Sequence, residues 1–386
     1  MKTKFFQKFT LNSAIITLSL GLALGFAQPI CISKNAELSK TLQIRTPAGK
    51  SFFPLGFYHV SNRLTAAQRM TALQDIAGAK FNVIHAGCSN LDDYSQFLDE
   101  AHRLGIYVIT EFDRTNYRQI IERFKDKPAV LAWNIADDAG DHQSKAEILD
   151  LHHKIKSIDP RHYTYISISG WSKKWSEFSD IADLNGSQSY PIGYTLGNQV
   201  KGLPNTLIEV NHTFNLARAA ASKQNRPFIA NVQAFKWDQQ RSPTPKEVYN
   251  MTYQSLLAGV KGILFFAYDD GDKNQIRSNP LVWNKLKILA AEIDQLSPML
   301  TDGKLTKLAT NNLELLAGQW KYQNQLYIII VNTSHSKVIS TAIKIPIKKG
   351  LATAIFSDRP SGLKIKSEYL RGMVQPEDVH IYKIAQ

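Results

Sequence analysis

Short apolar runs alternate with amphipathic stretches along most of the chain, from about residue 45 to about residue 300. The apolar runs are bounded by turn residues, which is typical of strands that are buried on both faces. The intervening stretches carry apolar residues at helical spacing, and several begin at a Ser or Thr that can cap a helix. The pattern predicts eight strands, at 51–60, 81–87, 106–112, 131–138, 163–170, 181–190, 227–235 and 261–269.

Eight strand–helix units in about 255 residues match the number and length of a TIM barrel. An open, doubly wound sheet also alternates in this way, but no glycine-rich phosphate loop follows the first strand. The sequence therefore predicts an α/β fold, with a (β/α)8 TIM barrel over 45–300. In such a barrel the C-terminal ends of all strands meet at one mouth, where active sites lie.

The pattern changes after Pro298. Short β-type runs at 313–316, 326–331, 342–347 and 379–384 are separated by turns rich in Asn, Ser, Gly and Pro. This spacing predicts a small C-terminal antiparallel β-sandwich domain over 301–386. Because no low-complexity linker precedes it, we expect the sandwich to pack against the barrel.

Residues 1–27 have the layout of a secretory signal peptide. Lys2, Lys4 and Lys8 precede an apolar run from residue 14 to residue 27, which is short for a membrane span. We therefore expect a secreted or periplasmic protein with no stable membrane span after signal cleavage, and an N-terminal extension over 28–44. The two cysteines are Cys31 and Cys88, and the sequence leaves open whether they pair.

The formal net charge is +13, and residues 301–386 hold 12 basic against 6 acidic side chains. These charges are scattered among apolar residues instead of being interleaved with aromatic ones, so nucleic acid is not an expected partner. No Cys/His spacing indicates zinc, and the His and carboxylate strand ends show no obvious ligand set, so neither a metal nor another cofactor is predicted.

The segment AVLAWNIADDAG, residues 129–140, is a buried apolar run that ends in Asp137 and Asp138. Two adjacent carboxylates are costly to bury unless they are paired or used in chemistry. The alternative is that one of them caps the helix that begins near Ser144.

Other predicted strand ends and their loops are also polar or aromatic. Aromatic faces beside carboxylates and amides suit a sugar, whose C–H surface stacks on rings while its hydroxyls need polar partners. His59 and His85 are better explained as hydrogen-bonded residues than as metal ligands, and Arg241 is also explained as the ion-pair partner of a carboxylate at the mouth. The candidate substrate-binding residues are Tyr58, His59, His85, Tyr190, Gln233, Tyr268, Asp270, Trp171, Trp237 and Arg241, and Glu111 and Asp269 join the two aspartates as catalytic candidates.

Four segments carry a resemblance to a known family. KDKPAVLAWNIADD (125–138) resembles the fourth strand of glycoside hydrolases with (β/α)8 barrels, in the large retaining clan. SQSYPIG (187–193) resembles the Tyr-Pro element of their sixth strand. RPFIANVQAF (226–235) and the segment 241–270 resemble their seventh and eighth strands. Such barrels often carry a small C-terminal β-sandwich, and the resemblance covers about residues 50–300.

The resemblance implies that Asp138 is the general acid/base and that Asp137 hydrogen-bonds the substrate. The nucleophile of the clan is a Glu that closes strand seven, whereas this chain has Gln233 there. An amide cannot form the glycosyl-enzyme ester of a retaining mechanism. Three alternatives follow: a second carboxylate acts from another strand with inversion, an acetamido group of the substrate is the nucleophile, or the barrel binds glycans without cleaving them.

The sequence thus predicts an exported glycoside hydrolase that acts on an oligo- or polysaccharide. In this hypothesis Asp138 donates the proton and Asp269 or Glu111 is the base or charge stabiliser, while Gln233, Tyr190 and Tyr268 hold hydroxyls. The alternative is a non-catalytic glycan-binding or envelope-polysaccharide assembly protein on a degenerate glycosidase barrel.

Overall fold

A computed structural model describes residues 42–88, 90–193, 203–204, 206–238, 240–347, 352–356 and 362–385. The predicted signal peptide, most of the predicted N-terminal extension and Cys31 lie outside the described residues. The structure therefore does not test them, and the pairing of Cys31 with Cys88 stays open.

Eight parallel strands close into a barrel in chain order, with the last strand paired to the first. A two-stranded antiparallel sheet, β1 (Ile44–Arg45) and β2 (Ser51–Phe52), precedes the barrel. The predicted strand 51–60 is therefore two strands, and only its second half enters the barrel. The barrel strands are β3 (Leu55–Val60), β4 (Val83–Gly87), β5 (Tyr107–Glu111), β6 (Val130–Ala139), β7 (Tyr163–Ile168), β8 (Leu184–Ser189), β9 (Phe228–Gln233) and β10 (Gly262–Asp269).

The helices cover the outside of the barrel, as the sequence predicts. Thr65, Ser144 and Thr244 each form a capping box at a helix start, worth about 1 kcal/mol each. Because Ser144 caps its helix together with Glu147, neither Asp137 nor Asp138 has that task. The helices are α1 (Ala66–Gly78), α2 (Leu91–Arg103), α3 (Tyr117–Phe124), α4 (Lys145–Ile158), α5 (Trp175–Phe178), α6 (Glu209–Lys223), α7 (Pro245–Ala258) and α8 (Pro280–Asp302).

Trp133 is a core residue of the barrel shell. It is fully buried, and its indole Nε1 donates a hydrogen bond to the Asp159 carboxylate at 2.8 Å. The same carboxylate oxygen lies 2.6 Å from Nδ1 of His162, so the buried acid is fully partnered. Burial of Asp159 alone would raise its pKa, but these hydrogen bonds lower it well below the usual value.

The described residues after 303 form two antiparallel sheets. One has five strands, in the order β11 (Lys304–Lys307), β12 (Leu315–Tyr322), β13 (Gln325–Asn332), β18 (Val379–Ala385) and β15 (Thr353–Ala354). The other has three, in the order β14 (Ile339–Lys344), β17 (Tyr369–Val374) and β16 (Lys364–Lys366).

The C-terminal sheets share a core of their own that includes Ile328, Ile343 and Leu370, which confirms the predicted sandwich. Trp320 and Ile329 belong instead to the apolar cluster of the barrel, so the two parts pack together as expected. No described helix combines the length and the apolar character needed to cross a membrane.

An ion cluster joins the barrel to the sandwich. Arg241 donates two hydrogen bonds, at 2.7 and 2.6 Å, to Glu247 at the start of α7. Across the interface His335 lies 2.5 Å from a Glu377 carboxylate oxygen and 3.8 Å from one of Glu247. The hydrogen bond to Glu377 raises the pKa of His335.

The raised pKa predicts that the cluster stabilises the protein in acid more than in alkali. Protonated His335 is favoured in the folded state, so its contribution is present below about pH 6.5 and is lost as the pH rises through the raised pKa. Because His335 is partly exposed, we expect His335→Gln to cost at most about 1 kcal/mol at about pH 5.5 and almost nothing at about pH 8.5. Denaturant unfolding at both pH values measures this, and an equal cost at both would contradict it.

Candidate active site

A cleft of about 730 Å³ opens at the C-terminal ends of the barrel strands. Its volume is that of a typical small-molecule site. The lining residues come from β3, β6, β7, β8, β9 and β10 and from the loops that follow them. They are Tyr58, Asp137, Asp138, Ser167, Trp171, Gln188, Tyr190, Asn231, Phe235, Lys236, Trp237, Asp238, Phe266, Lys273 and Asn274.

A bulge at the end of β6 brings both Asp137 and Asp138 to the cleft. Consecutive residues of a regular strand face opposite sides, so two adjacent carboxylates would normally diverge. Here the pairing of β6 with β7 shifts register between Ala136 and Ala139, and Asp138 has a left-handed backbone with φ of 46°. Aspartate tolerates this conformation better than most residues, and such bulges commonly re-aim side chains beside active sites.

Asp137 lines the cleft and is accessible to solvent there. Its Oδ1 accepts hydrogen bonds from the Tyr58 hydroxyl at 2.8 Å and from the backbone N–H of Asp138 at 3.0 Å. Removal of water by the surrounding protein raises the pKa of Asp137, whereas these two donors favour its charged form.

Asp138 is half-buried and accepts a hydrogen bond from the side-chain amide of Gln188. Burial, and then the negative charge of Asp137, raise the pKa of Asp138 to about 6. A carboxyl group in this range holds a proton at mildly acidic pH, as a general acid must. Two neighbouring acids thus differ in their hydrogen-bond support, with the stronger support on Asp137.

Aromatic rings form one wall of the cleft. The ring centroids of Trp171 and Trp237 are 5.9 Å apart, and Phe235 lies 4.8 Å from Trp237. Tyr190 packs edge-on against Phe235 at 5.0 Å, and its backbone carbonyl accepts a hydrogen bond from the Trp237 indole at 3.2 Å. Phe266 continues the wall, 5.2 Å from Phe235. Such faces suit the C–H surface of a sugar ring.

The cleft is also lined by polar side chains. Gln188 is nearly buried, and while its nitrogen bonds Asp138, its Oε1 has no hydrogen-bond partner. Asn231 donates to the Ser167 hydroxyl at 3.1 Å and so holds the floor in place. A buried acceptor without a partner costs about 1–3 kcal/mol unless a ligand or water bonds it, so Gln188 is a ready binding group.

Six of the predicted site residues therefore meet in the cleft: Tyr58, Asp137, Asp138, Trp171, Tyr190 and Trp237. Asp269 and Tyr268 do not reach it. Tyr268 packs outside the barrel strands and donates its hydroxyl to Asp75 at 2.8 Å, and Asp269 lies beside it. Asp270 accepts hydrogen bonds within its own loop, from the backbone and side chain of Asn274.

Gln233 and Arg241 hold structure around the cleft without lining it. Gln233 is fully buried, and its Oε1 accepts from the backbone N–H of Ile192 at 2.8 Å. Its Nε2 donates to the carbonyl oxygens of Ile192 and Phe235 at 2.8 and 3.1 Å. Both N–H donors and the oxygen of this amide are engaged, so it fastens two loops together. Arg241 is committed to Glu247 in the interface cluster.

His59, His85 and Glu111 lie next to the cleft on neighbouring strands but do not line it. From the sequence, the two histidines are predicted to be hydrogen-bonded and not to belong to a metal-ligand set. In the structure, both ring nitrogens of His85 lack hydrogen-bond partners, and the ligand atoms of the three residues lie within 4.8 Å of one another.

Several lining residues escaped the sequence analysis. Asn231 lies two residues before Gln233 in an otherwise apolar strand, and this polar side chain inside a buried run was the available signal. Phe235 and Phe266 gave none, because a phenylalanine at a strand end is typical of a core. Asp238 and Lys273 form a rim ion pair at 2.9 Å that only the fold reveals.

The chain matches no protein-family model. No curated protein sequence matches it. Among solved structures it is similar to a glycoside hydrolase with 15% identity and a TM-score of 0.67, covering 92% of this chain and 97% of that one. A GH30 endoxylanase from Clostridium papyrosolvens C71 has 10% identity and a TM-score of 0.54, covering 87% and 97%. AmyP in complex with maltose has 9% identity and a TM-score of 0.53, covering 90% and 92%. At these identities the likeness shows the fold alone, and it confirms the predicted (β/α)8 barrel.

Proposed function

We propose that the protein is a glycoside hydrolase in which Asp138 is the general acid/base. The observation that carries the proposal is the bulge that turns two consecutive carboxylates into a cleft walled by aromatic rings. The half-buried Asp138, with a pKa of about 6, is suited to protonate a glycosidic oxygen. The substrate is an oligo- or polysaccharide, which the rings and the free acceptor of Gln188 would bind.

The second catalytic group follows from which carboxylates line the cleft. Among the described lining residues the acids are Asp137, Asp138 and Asp238, and Asp238 is ion-paired to Lys273 at the exposed rim. No acid from β9 or β10 is among these described residues, which favours a nucleophile that the substrate itself supplies. We therefore propose a 2-acetamido sugar, whose carbonyl oxygen attacks its own anomeric carbon.

In this mechanism the acetamido oxygen bonds to C1 while the glycosidic C1–O bond breaks. Asp138 gives its proton to the leaving oxygen, and Asp137 accepts the amide N–H proton as the ring of the oxazoline intermediate closes. Water then attacks C1 while the bond from C1 to the acetamido oxygen breaks, Asp138 takes a proton from that water, and Asp137 returns its proton to the nitrogen, which restores the acetamido group. Burial, and then the charges of Asp137 and Asp138, raise the pKa of the Tyr190 hydroxyl, so it keeps its proton and would donate a hydrogen bond to the acetamido oxygen.

The test is turnover on a panel of chromogenic glycosides in matched pairs, with a 2-acetamido or a 2-hydroxyl group. We expect hydrolysis of at least one 2-acetamido member and at least about 100-fold slower hydrolysis of its 2-hydroxyl partner, because effective molarity is lost. Equal rates within a pair would rule out substrate assistance while leaving hydrolysis intact. Absence of turnover across the panel and on polysaccharides would overturn the hydrolase proposal.

The pH dependence gives a second test. Asp138 must be protonated, so we expect kcat/KM to fall about tenfold per pH unit above about pH 6, where this group ionises. At low pH the rate falls again because Asp137 must be charged. A pH–rate profile between about pH 4 and pH 9 measures both limbs, and a rate that stays level up to about pH 8 would contradict the role of Asp138.

Gln233 places an amide at the end of β9, the seventh strand of the barrel. This amide favours a second candidate function, in which the barrel binds glycans without cleaving them. Calorimetric binding of an oligosaccharide without turnover would establish it.

We also propose that the protein is exported, on the evidence of its N-terminal lysines and apolar run. N-terminal sequencing of the mature chain tests this, with cleavage expected after about residue 27.

A further inference from the structure

Three side chains of metal-binding type meet at the ends of three adjacent barrel strands. His59 is near the end of β3, His85 is in β4, and Glu111 ends β5. Nδ1 of His59 lies 3.8 Å from Oε2 of Glu111, and Nδ1 of His85 lies 4.0 Å from the same oxygen. The ligand atoms of all three lie within 4.8 Å of one another. The distances of 3.8 and 4.0 Å to Glu111 are longer than a hydrogen bond, so the three side chains are close together without being hydrogen-bonded.

The histidines lack the partners that buried polar groups normally have. His85 is completely buried, and neither its Nδ1 nor its Nε2 has a hydrogen-bond partner. Nδ1 of His59 is likewise buried and unpartnered. Each such group destabilises the folded state, because it has lost its hydrogen bonds to water without gaining others. A cation at the centre of the cluster would bond their lone pairs and remove this cost.

The backbone and packing hold the cluster in place. Pairing of β3 with β4 shifts register between Tyr58 and Val60, and His59 has a left-handed φ of 79°, so both Tyr58 and His59 lie near the mouth. The Tyr58 ring stacks on His85 with centroids 4.1 Å apart and planes 8° from parallel. A non-glycine residue in this conformation is uncommon and is often found at functional sites.

The ligand spacing suits a small divalent ion after a modest contraction. Zn²⁺ lies about 2.0–2.2 Å from nitrogen and oxygen ligands, so tetrahedral ligands are roughly 3.3–3.5 Å apart. Each side chain would therefore move by about half an ångström. The side chains of His59 and Glu111 are 25% and 36% exposed, which leaves a path for the ion.

We propose that His59, His85 and Glu111 bind one divalent transition-metal ion, with Zn²⁺ as the best fit. Two histidines and one carboxylate are a known zinc ligand set that keeps a further position open for water or another ligand. The proposal goes beyond the glycosidase function and does not depend on it, because no step of that mechanism uses these three residues.

A second cluster of the same residue types provides the control. Glu247, His335 and Glu377 also lie within 4.8 Å of one another. Their atoms are already paired, because Arg241 binds Glu247 with two hydrogen bonds and His335 bonds Glu377 at 2.5 Å. This cluster is an ion-pair network, so a metal site should be lost on mutation of the first cluster and not of the second.

The experiment uses the mature chain without a polyhistidine tag, stripped with a chelator and dialysed. Titration with ZnCl2 by calorimetry, with elemental analysis of the dialysed protein, should give one ion per chain and a higher Tm. We expect Glu111→Gln and His59→Gln to bind Zn²⁺ at least ten times more weakly. His335→Gln should keep the wild-type stoichiometry and affinity.

Cobalt substitution is a measurement that does not depend on the variants. Co²⁺ bound at this site should give visible absorption bands in the wild-type protein, and these bands should disappear when Zn²⁺ displaces the Co²⁺. If the wild-type chain binds no stoichiometric Zn²⁺ and shows no Co²⁺ bands, the proposal is overturned. Binding that is equal in wild type, Glu111→Gln and His59→Gln overturns it as well.

Discussion

Asp138→Asn should lower kcat on an oligosaccharide substrate by about 10²–10⁴-fold and leave KM nearly unchanged. The substitution keeps the shape of the side chain but removes the proton that the leaving oxygen needs. Asparagine tolerates the left-handed backbone at this position, so the fold should persist. Steady-state kinetics, together with calorimetric binding of the substrate to the variant, measure the effect.

The leaving group provides a further check on the role of Asp138. A nitrophenolate leaves without protonation, so a nitrophenyl glycoside should lose much less rate in the first step than the oligosaccharide does. Asp238→Asn is the matched control, because Asp238 is a carboxylate of the same cleft that is ion-paired to Lys273 at the rim. We expect it to change kcat less than about threefold. A similar loss in both variants, or no loss in Asp138→Asn, would contradict the assignment of Asp138.

The barrel was predictable because its signal is repeated. Each strand is a short apolar run and each helix has its own spacing and often its own cap, so one irregular unit does not disturb the count. The error at 51–60 was local, because a short hairpin before the barrel has the same composition as a barrel strand. The sandwich followed from its turn residues in the same way.

The sequence predicts which residues lie at the mouth of the barrel, but not which of them face the cleft. Strand ends identify the edge of the barrel, but whether a side chain faces the cleft depends on strand parity and on bulges. Tyr268 and Asp269 are correctly placed at the end of β10, yet the register of this strand against β3 shifts between Phe266 and Asp269. As a result Phe266 faces the cleft and Tyr268 faces outward.

The same limit explains the histidines. A bulge at His59 decides that this side chain lies near His85 and Glu111, and bulges have no reliable sequence signature in a single chain. The three residues are more than 20 positions apart along the chain, so no short ligand motif was present. The three side chains are brought together by the pairing of neighbouring strands, which their spacing along the sequence does not reveal.

Gln233→Glu should destabilise the fold and should not create a retaining nucleophile. The substitution restores the residue type of the resembled clan, so the resemblance alone would predict a gain of activity. The structure predicts the opposite, because the Nε2 of Gln233 donates to two carbonyl oxygens in a fully buried position. A carboxylate there would face those oxygens without a proton, at a cost of about 3–5 kcal/mol.

This cost should depend on pH in a defined direction. The buried carboxyl group would have a raised pKa in the folded state, so the folded state tolerates its protonated form. The variant should therefore be least affected at about pH 4.5 and lose unfolding free energy as the pH rises above the unfolded pKa of about 4.3. Denaturant unfolding at about pH 4.5 and pH 8 measures the difference.

Gln240→Glu, on the exposed part of the neighbouring loop, is the control and should stay within about 0.5 kcal/mol of wild type. The opposite outcome is that Gln233→Glu folds as stably as wild type and hydrolyses 2-hydroxyl glycosides. Gln233 would then occupy the position of a lost nucleophile, and the cleft would be a retaining site that a single amide has inactivated.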